Sequence, residues 1–362
     1  MKVLFDAFWW KEGPVSNKQI VHRIVLGWLQ DFPEDEMVLA VPNGDVAVVQ
    51  RELGPRVEVV GLRFKPQGVA VMAELGRVAR RSSADVILAH NFTPFSGKSA
   101  VFIQDVLFMT NPNWFTRAER LYFAFMPLSA RRAVRVLSSS SAEAERIDSN
   151  VRLRRPAQPV GLAPNPALLE ADQVKPHLDI ERNAFVLTVG RLNVRKNLER
   201  VCQAALLSKG VTKASPLVVA GGYQGKSVKF SDEVQQAVRE GRILLAGNVT
   251  DNELAWLYAN TSTFVFASLD EGFGLPPVEA LAFGAPVVAS DIPVMRENLG
   301  PHAVYVSPTD VIALAAALEH PNRDDGNAEK RIAYARSQFS WTAVVARIRS
   351  SLVDVIAIGK RG

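Results

Sequence analysis

The sequence predicts an α/β protein of two Rossmann-like domains, each a parallel sheet wrapped by helices, and three observations carry that prediction. The chain has 362 residues, too many for one small core and suited to two domains of about 100 to 200 residues each. Short buried runs alternate with helical stretches along it, the pattern of a parallel sheet. The alternation breaks at a proline-rich segment and then restarts.

In the first half the runs are KVLFDAF, MVLAVP, VEVVGL, DVILAH, SAVFIQD and RVLSSS. The segment VRLRRPAQPVGLAPNP holds the boundary, near Pro159 to Pro166, so a first domain is expected over residues 1–163 and a second over 164–340. There the runs resume with FVLTVG, PLVVAGG, RILLAG, TFVFAS, APVVAS and AVYVS. The last stretch, Trp341 to Gly362, sets apolar and basic residues at helical spacing and is expected to pack back across the first domain. No internal repeat or low-complexity segment interrupts the pattern. Ligands of open parallel sheets bind beyond the carboxyl ends of the strands, so the expected substrate site is a cleft between the two domains.

Composition narrows the function. With 48% hydrophobic and 22% charged residues the chain reads as a soluble globular protein, and no window approaches the ~20 apolar residues that span a bilayer. The opening MKVLFDAFWW lacks the features of a secretory signal, so a cytoplasmic location is expected. The single cysteine, Cys202, excludes an intramolecular disulfide; the five histidines lie far apart and no Asp-x-Asp occurs, so no metal is expected. The net charge of +5 lies in the first half, where residues 1–165 hold 21 Lys/Arg against 16 Asp/Glu and residues 166–362 hold 21 against 21. The excess is densest around Arg117, Arg120, Arg131, Arg132, Arg135, Arg152, Arg154 and Arg155. A solvated face is the simpler reading; peripheral contact with an anionic membrane surface or a phosphorylated acceptor is the other. No aromatic-interleaved basic strand accompanies the charge, which argues against nucleic acid.

Two constellations carry chemistry. Gly190-Arg191-Leu192-Asn193-Val194-Arg195-Lys196-Asn197 follows a buried strand and opens a helix, placing two or three cations at a strand's carboxyl end. Arg191 can fork onto phosphate oxygens and Lys196 can add a point charge, with helix N–H donors beside them: a diphosphate clamp, or else a basic turn capping a helix. The second is Asp270-Glu271-Gly272-Phe273-Gly274-Leu275-Pro276-Pro277-Val278-Glu279, with Glu271 and Glu279 eight residues apart around a glycine loop. Gly272 and Gly274 permit close backbone approach to a ligand, and the prolines suit a helix start. Glu279 is then expected in the first helical turn. One glutamate can hold a ribose and the other a hexose through their hydroxyls; a Gly-Pro turn with solvated acids is the plain alternative.

Together, GRLNVRKN and GNVTDNELAWLYANTSTFVFASLDEGFGLPPVEALAFGAPVVASD make residues 185–310 resemble the donor domain of glycosyltransferase family 4. The resemblance implies the GT-B fold, two Rossmann-like domains with parallel sheets facing a central cleft. It also implies a retaining, metal-independent transfer from a nucleotide-diphosphate sugar, the co-substrate, without any cofactor. By the Glu-x7-Glu motif, Glu271 would contact the donor sugar and Glu279 the ribose. Arg191 and Lys196 take the places of the Arg and Lys in the family's G-R-x4-K-N segment, which begins here at Gly190. The amides of Gly272, Phe273, Gly274 and Leu275 would face sugar and phosphate, the loop at Asn248 and Val249 would flank the base, and Gly221-Gly222 would approach the phosphates. In the first domain VFIQDVLFMTNPNWF looks like the stretch in which many bacterial mannosyl- and rhamnosyltransferases carry His-Asp. Here it reads Gln104-Asp105, and a glutamine cannot change its charge near neutral pH. Of the family's early glycine pair only Gly13 is comparable. His90 ends a strand and is a candidate for touching the acceptor, although a lone histidine is more often structural. The implied reaction moves a hexose, mannose or rhamnose favoured, to a glycan or lipid-linked glycan in polysaccharide biosynthesis.

Two rivals remain. Ala220-Gly221-Gly222-Tyr223-Gln224-Gly225-Lys226-Ser227 nearly spells the phosphate-binding loop of an NTPase, but Ser231-Asp232-Glu233 places the next helix start several residues beyond Lys226. A catalytically inactive nucleotide-sugar-binding subunit is the other. No strand is followed by G-x-G-x-x-G, which argues against nicotinamide chemistry.

Overall fold

The computed structural model describes residues 1–222, 230–319 and 326–358. The chain divides into two compact units, one of Met1–Thr110, Arg117–Leu162 and Ser340–Gly362, the other of Asn111–Thr116 and Ala163–Phe339.

The first unit is built on β1 (Lys2–Asp6), β2 (Glu36–Pro42), β3 (Val57–Leu62), β4 (Val86–His90), β5 (Ser99–Ile103), β6 (Arg135–Ser138) and β7 (Gln158–Pro159). They form a 7-stranded sheet in the order β3-β2-β1-β4-β5-β6-β7, with every adjacent pair parallel. The central strands β4 and β5 are buried at every position, which is why they read as unbroken apolar runs rather than alternating ones. β7 lies inside the proline-rich segment that the sequence suggests is only a boundary. Leu137 pairs with Gln158 and Ser138 with Pro159, and an edge strand tolerates a proline because one side of its ladder is open.

The terminal helix, Trp341–Ile358, belongs to the first unit. Its buried residues Val344, Val345, Ile348, Leu352 and Val355 recur at helical spacing, and Val345 lies against Gly27 in helix Val15–Asp31. Arg349 donates to Asp35 at 2.7 Å and to Glu34 at 3.1 Å, while Arg347 donates to the carbonyl of Val160 at 2.8 Å.

The second unit contains β8 (Val186–Val189), β9 (Leu217–Ala220), β10 (Ile243–Gly247), β11 (Thr263–Phe266), β12 (Val287–Ser290) and β13 (Ala303–Val306). Its 6-stranded sheet runs β10-β9-β8-β11-β12-β13, again all parallel. This is the doubly wound order, in which connections leave the sheet in opposite directions from β8 and β11. Ligands of such sheets bind where the order reverses, beyond the carboxyl ends of those two strands. A core that includes Val186, Val201, Leu217, Ile243 and Val265 fixes the sheet against its helices. Among the described residues no helix is long and apolar enough to cross a membrane.

Candidate active site

The switch point of the second sheet brings together the two loops that the sequence singles out. After β8, the amide of Gly190 donates to Ala220 at 2.9 Å and that of Leu192 to Gly222 at 3.0 Å, while Gly221 donates to Gly247 at 2.7 Å. The ends of β8, β9 and β10 are thus laced into one surface. Gly221 has φ 138°, and a Cβ there would lie 2.1 Å from the carbonyl oxygen of Gly190, so no other residue fits without moving the loop. A Cβ on Gly222 would meet the side-chain oxygen of Asn248 at 2.6 Å, which places Asn248 directly over it. Val249, next in the chain, is half-buried. Tyr223 to Lys229, including Lys226 and Ser227 of the P-loop-like reading, lie outside the described residues; the next helix, Asp232–Arg239, starts behind Ser231 as its cap.

The loop from β8 then tightens. The side chain of Asn193 accepts from the Lys196 amide at 3.1 Å and closes a turn over Val194–Lys196. Asn197 follows in the left-handed region at φ 57°, where asparagine is among the few tolerated residues. Its side-chain amide donates to the carbonyls of Ala267 at 2.9 Å and Pro308 at 2.6 Å, tying the turn to the end of β11 before helix Leu198–Leu207 begins.

From the other side of the switch point, Leu269 donates its amide to the carbonyl of Arg195 at 2.9 Å, so the two loops are joined by main chain as well as by charge. Glu271, only 6% exposed, receives Lys196 Nζ on Oε1 at 2.6 Å and the Arg195 guanidinium on Oε2. Arg195 also reaches the carbonyl of Asp270 at 3.4 Å, and Lys196 Nζ sits 4.5 Å above the Phe266 ring. Arg195 is the site residue that the sequence reading leaves unassigned; its adjacency to Lys196 was the available signal, but adjacency alone does not give orientation. Arg191 is half-buried and forms no ion pair among the described residues.

The electrostatics follow from this packing. Burial alone would raise the Glu271 carboxyl, but Arg195 and Lys196 outweigh it and hold the group at about 2. Burial, then the nearby arginines, lower Lys196 to about 8 against the opposing pull of Glu271. Arg191 is held below its ordinary value by burial first and by the charge of Arg195 second. Arg191, Arg195 and Lys196 all act on the single carboxylate of Glu271, so cations outnumber the acid they surround. Such a surface attracts an anion.

Helix Leu275–Ala282 starts at Gly274, whose φ of 85° and closeness to Met295 (2.3 Å from a notional Cβ) require glycine. Its first residue, Leu275, has an amide with no intrahelical partner, while Pro276 and Pro277 have no N–H to offer. Phe273 is buried, 5.9 Å edge-on to Phe339, and its carbonyl accepts from Asn298 at 2.6 Å; any ligand contact from Phe273 therefore comes from its main chain. Glu279 is not in the first turn, as the sequence suggests, but is the fifth residue of the helix, because the helix begins at Leu275 rather than at the prolines. Tyr258, fully buried, donates to it at 2.9 Å. Burial pushes the Glu279 carboxyl up to about 7, the Tyr258 hydroxyl and the charge of Lys196 lower it, and that of Asp251 raises it.

The four residues expected on the acceptor side belong to the first unit and do not form a comparable cluster. Gly13, at φ 134°, packs against the Trp9 ring. Gln104 is half-exposed and engaged through its main chain, accepting from Ser139 Oγ at 2.9 Å. Asp105 accepts from the Leu107 amide at 3.3 Å and so braces the turn after β5. His90 ends β4, but its ring turns inward, 4% exposed, toward a cavity bounded by Phe5, Ile20 and Ile24. Burial lowers its pKa to about 4, so it is a neutral core histidine and not a surface group. The sequence places it at a strand end correctly; what covers it is helix Val15–Asp31, which strand pattern cannot show. Beside it, Asp6 accepts from Gln67 at 2.9 Å and from the His90 amide at 3.3 Å, and burial lifts it to about 6.

With this geometry established, the comparisons are specific. Residues 170–338 match the family model of glycosyl transferases group 1. The matched segment lies within the second unit, which is therefore similar to group 1 glycosyl transferases. The chain is 36% identical over 167 residues to O-antigen chain mannosyltransferase B of Escherichia coli, an alignment covering 43% of this chain and 42% of that protein. It is 26% identical over 237 residues to O-antigen chain mannosyltransferase RfbU of Salmonella typhimurium, covering 65% and 64%. These alignments thus span about half the length of the relatives. Among solved structures, Anabaena HepE in complex with UDP-glucose superposes with a TM-score of 0.68 at 18% identity, covering 98% of this chain and 100% of that one. WaaG, a glycosyltransferase involved in lipopolysaccharide biosynthesis, gives 0.69 at 14% identity over 97% and 99%. At such identities the likeness establishes the fold: two parallel-sheet Rossmann-like domains, shared with GT-B glycosyltransferases.

Proposed function

We propose that the protein is a retaining, metal-independent hexosyltransferase of glycosyltransferase family 4 that uses a nucleotide-diphosphate sugar. The observation that carries the reading is Glu271 held between Arg195 and Lys196 at the switch point, with the charge of Arg191 acting on the same carboxylate. Mannose is the favoured hexose, supported by the named activities of the O-antigen relatives, and a glycan or lipid-linked glycan is the acceptor. HepE, whose structure contains UDP-glucose, supports a nucleotide sugar as donor.

In this reading the diphosphate docks against Arg191, Lys196 and the amides of the loop Gly272 to Leu275, over the surface made by Gly190, Gly221 and Gly222. Glu271, ionised at neutral pH, accepts hydroxyls of the hexose and orients it. Glu279, steadied by Tyr258, accepts hydroxyls of the ribose, and Asn248 and Val249 flank the base. The acceptor hydroxyl attacks the anomeric carbon on the face that the diphosphate is leaving; its proton passes to the departing phosphate, and configuration is retained. Lys196 and Arg191 stabilise the charge that grows on the leaving oxygen. Each such donor is worth about 2.7–4 kcal/mol of barrier in a water-poor site. Cation side chains take the part that a metal plays elsewhere.

The test is turnover of GDP-mannose, UDP-glucose and dTDP-rhamnose in the presence of chelator, with the anomeric configuration of the product read by NMR. Transfer or slow hydrolysis with retention is expected. Donor binding with neither, across all three donors and a panel of glycan acceptors, would favour the inactive-subunit reading.

A further inference from the structure

Where β4 ends, one asparagine stands apart from the core around it. The carbonyl of His90 accepts from the Phe92 amide at 2.8 Å across Asn91, whose φ is 64°, and a three-residue turn with positive φ is a strained form. The Asn91 amide donates to the Phe102 carbonyl of β5 at 2.8 Å, so the turn is pinned to the neighbouring strand. The residue is only 7% exposed, and its Oδ1 accepts from the Gln104 amide at 3.4 Å. Nδ2, by contrast, donates to no described residue. An amide held this deep without a partner is costly, since it has given up water and gained no bond. The His90 ring nitrogens are unpartnered too, but they are sealed from solvent, and Nδ2 of Asn91 is not. Gln104, half-exposed at the end of β5, hydrogen-bonds through its main chain, so its carboxamide is also unengaged among the described residues.

Two unengaged carboxamides at the ends of adjacent strands suit one kind of ligand. Between them they offer N–H donors and a carbonyl acceptor, and neither changes its charge near neutral pH. A phosphate calls for cations, and a metal for carboxylates or imidazoles. The group that matches neutral donors and acceptors is a hydroxyl, which gives one hydrogen bond and takes others. The place fits as well: β4 lies beside β1 where the order of the first sheet reverses, and ligands of such sheets bind beyond the strand ends at that point. We infer that Asn91, with Gln104 beside it, forms a hydroxyl-binding subsite that holds an acceptor sugar through Nδ2. The strained turn keeps Oδ1 on the Gln104 amide and leaves Nδ2 open to solvent. Calling the sugar an acceptor rests on the proposed transfer; the subsite itself stands on the unpartnered amide.

The experiment follows the side-chain amide of Asn91 itself. Relaxation-optimised ¹H–¹⁵N spectra of the full chain are titrated with methyl α-mannoside, methyl α-glucoside and N-acetylglucosamine. The Asn91 side-chain pair is identified by its absence in Asn91→Gly, which keeps the left-handed turn, or in Asn91→Asp if the glycine protein does not fold. A saturable shift of that pair with at least one of the sugars is expected. In transfer from GDP-mannose to p-nitrophenyl α-mannoside, Asn91→Asp and Gln104→Leu are each expected to raise the acceptor KM about ten-fold or more and to change kcat far less, with GDP affinity and the thermal midpoint retained. Asn91→Asp keeps Oδ1 and removes the donor, so it separates the two ends of the carboxamide. No shift with any of the three sugars would overturn the proposal. So would an Asn91→Asp protein with an unchanged acceptor KM, since Asn91 would then serve only to brace Gln104. If that acceptor is not turned over, the shift alone decides. A sugar-dependent shift in a protein that binds no nucleotide would leave the subsite standing and sink the transferase reading, whereas GDP binding without the shift would do the reverse.

Discussion

Lys196 is a buried cation bonded to Glu271 at 2.6 Å, and it holds its proton less firmly than a surface lysine would. Its charge is present below pH about 8 and is lost as the pH rises past that value. A diphosphate favours the charged form, so binding should draw a proton onto Lys196 and raise its pKa in the complex. Calorimetry of GDP binding at pH 8.5 in buffers of different ionisation enthalpy is therefore expected to show proton uptake, with affinity declining as the pH rises from about 7.5 to 9.5. An affinity flat across that range would remove Lys196 from the diphosphate site. Glu271 has the opposite dependence. Its folded-state value of about 2 lies below the ordinary 4.5, so its ion pairs stabilise the fold above pH about 4.5 and are lost as the pH falls toward 2. Lys196→Ala leaves Glu271 paired with Arg195, so that variant should fold while kcat drops about 100- to 1,000-fold, the cost of one missing charge donor. Glu271→Ala is a harsher change, since it strands two partly buried cations; a loss of about 3–5 kcal/mol in urea unfolding is expected.

At the scale of elements, the site depends on loop conformations that particular residues enforce. Gly221→Ala puts a Cβ 2.1 Å from the Gly190 carbonyl at φ 138°, and is expected to destabilise the second unit by about 1–3 kcal/mol and weaken GDP binding together. Asn197 serves twice, through its left-handed backbone and its two side-chain bonds to Ala267 and Pro308. Asn197→Gly forfeits only the bonds, about 1 kcal/mol each, whereas Asn197→Ala adds about 1–2 kcal/mol for the backbone. The denaturation midpoint should therefore fall further for alanine than for glycine. Strands were legible in the sequence because buried parallel strands are continuous apolar runs, and the cationic and acidic loops were legible because they follow such runs immediately. β7 was not, since Pro159 reads as a break and only the edge position excuses it. Nor was the partner of Lys196, because a tight turn decides which of two adjacent basic side chains faces Glu271, and here both do.

Over the whole molecule, the two sheets share the doubly wound strand order, yet they spend their switch points differently. In the second unit the ends of β8 and β11 present charge and glycine to the surface. In the first, the ends of β1 and β4 hold Asp6, Gln67 and His90 in a buried hydrogen-bonded group. Residue type at a strand's carboxyl end therefore does not by itself tell a surface group from a core one, since the same position can face outward or, like His90, lie beneath a helix. The central claim is that the cations of the second unit bind a nucleotide-diphosphate sugar by its diphosphate, with no metal. Titration calorimetry of the full chain in chelator against GDP, UDP, dTDP and ATP, repeated with Arg191→Ala and Glu279→Ala, addresses it most directly. One nucleoside diphosphate is expected to bind best, with each substitution weakening it about ten-fold or more. Binding of ATP that requires magnesium, ignores both substitutions and disappears in Lys226→Ala would contradict the account and make the protein an NTPase.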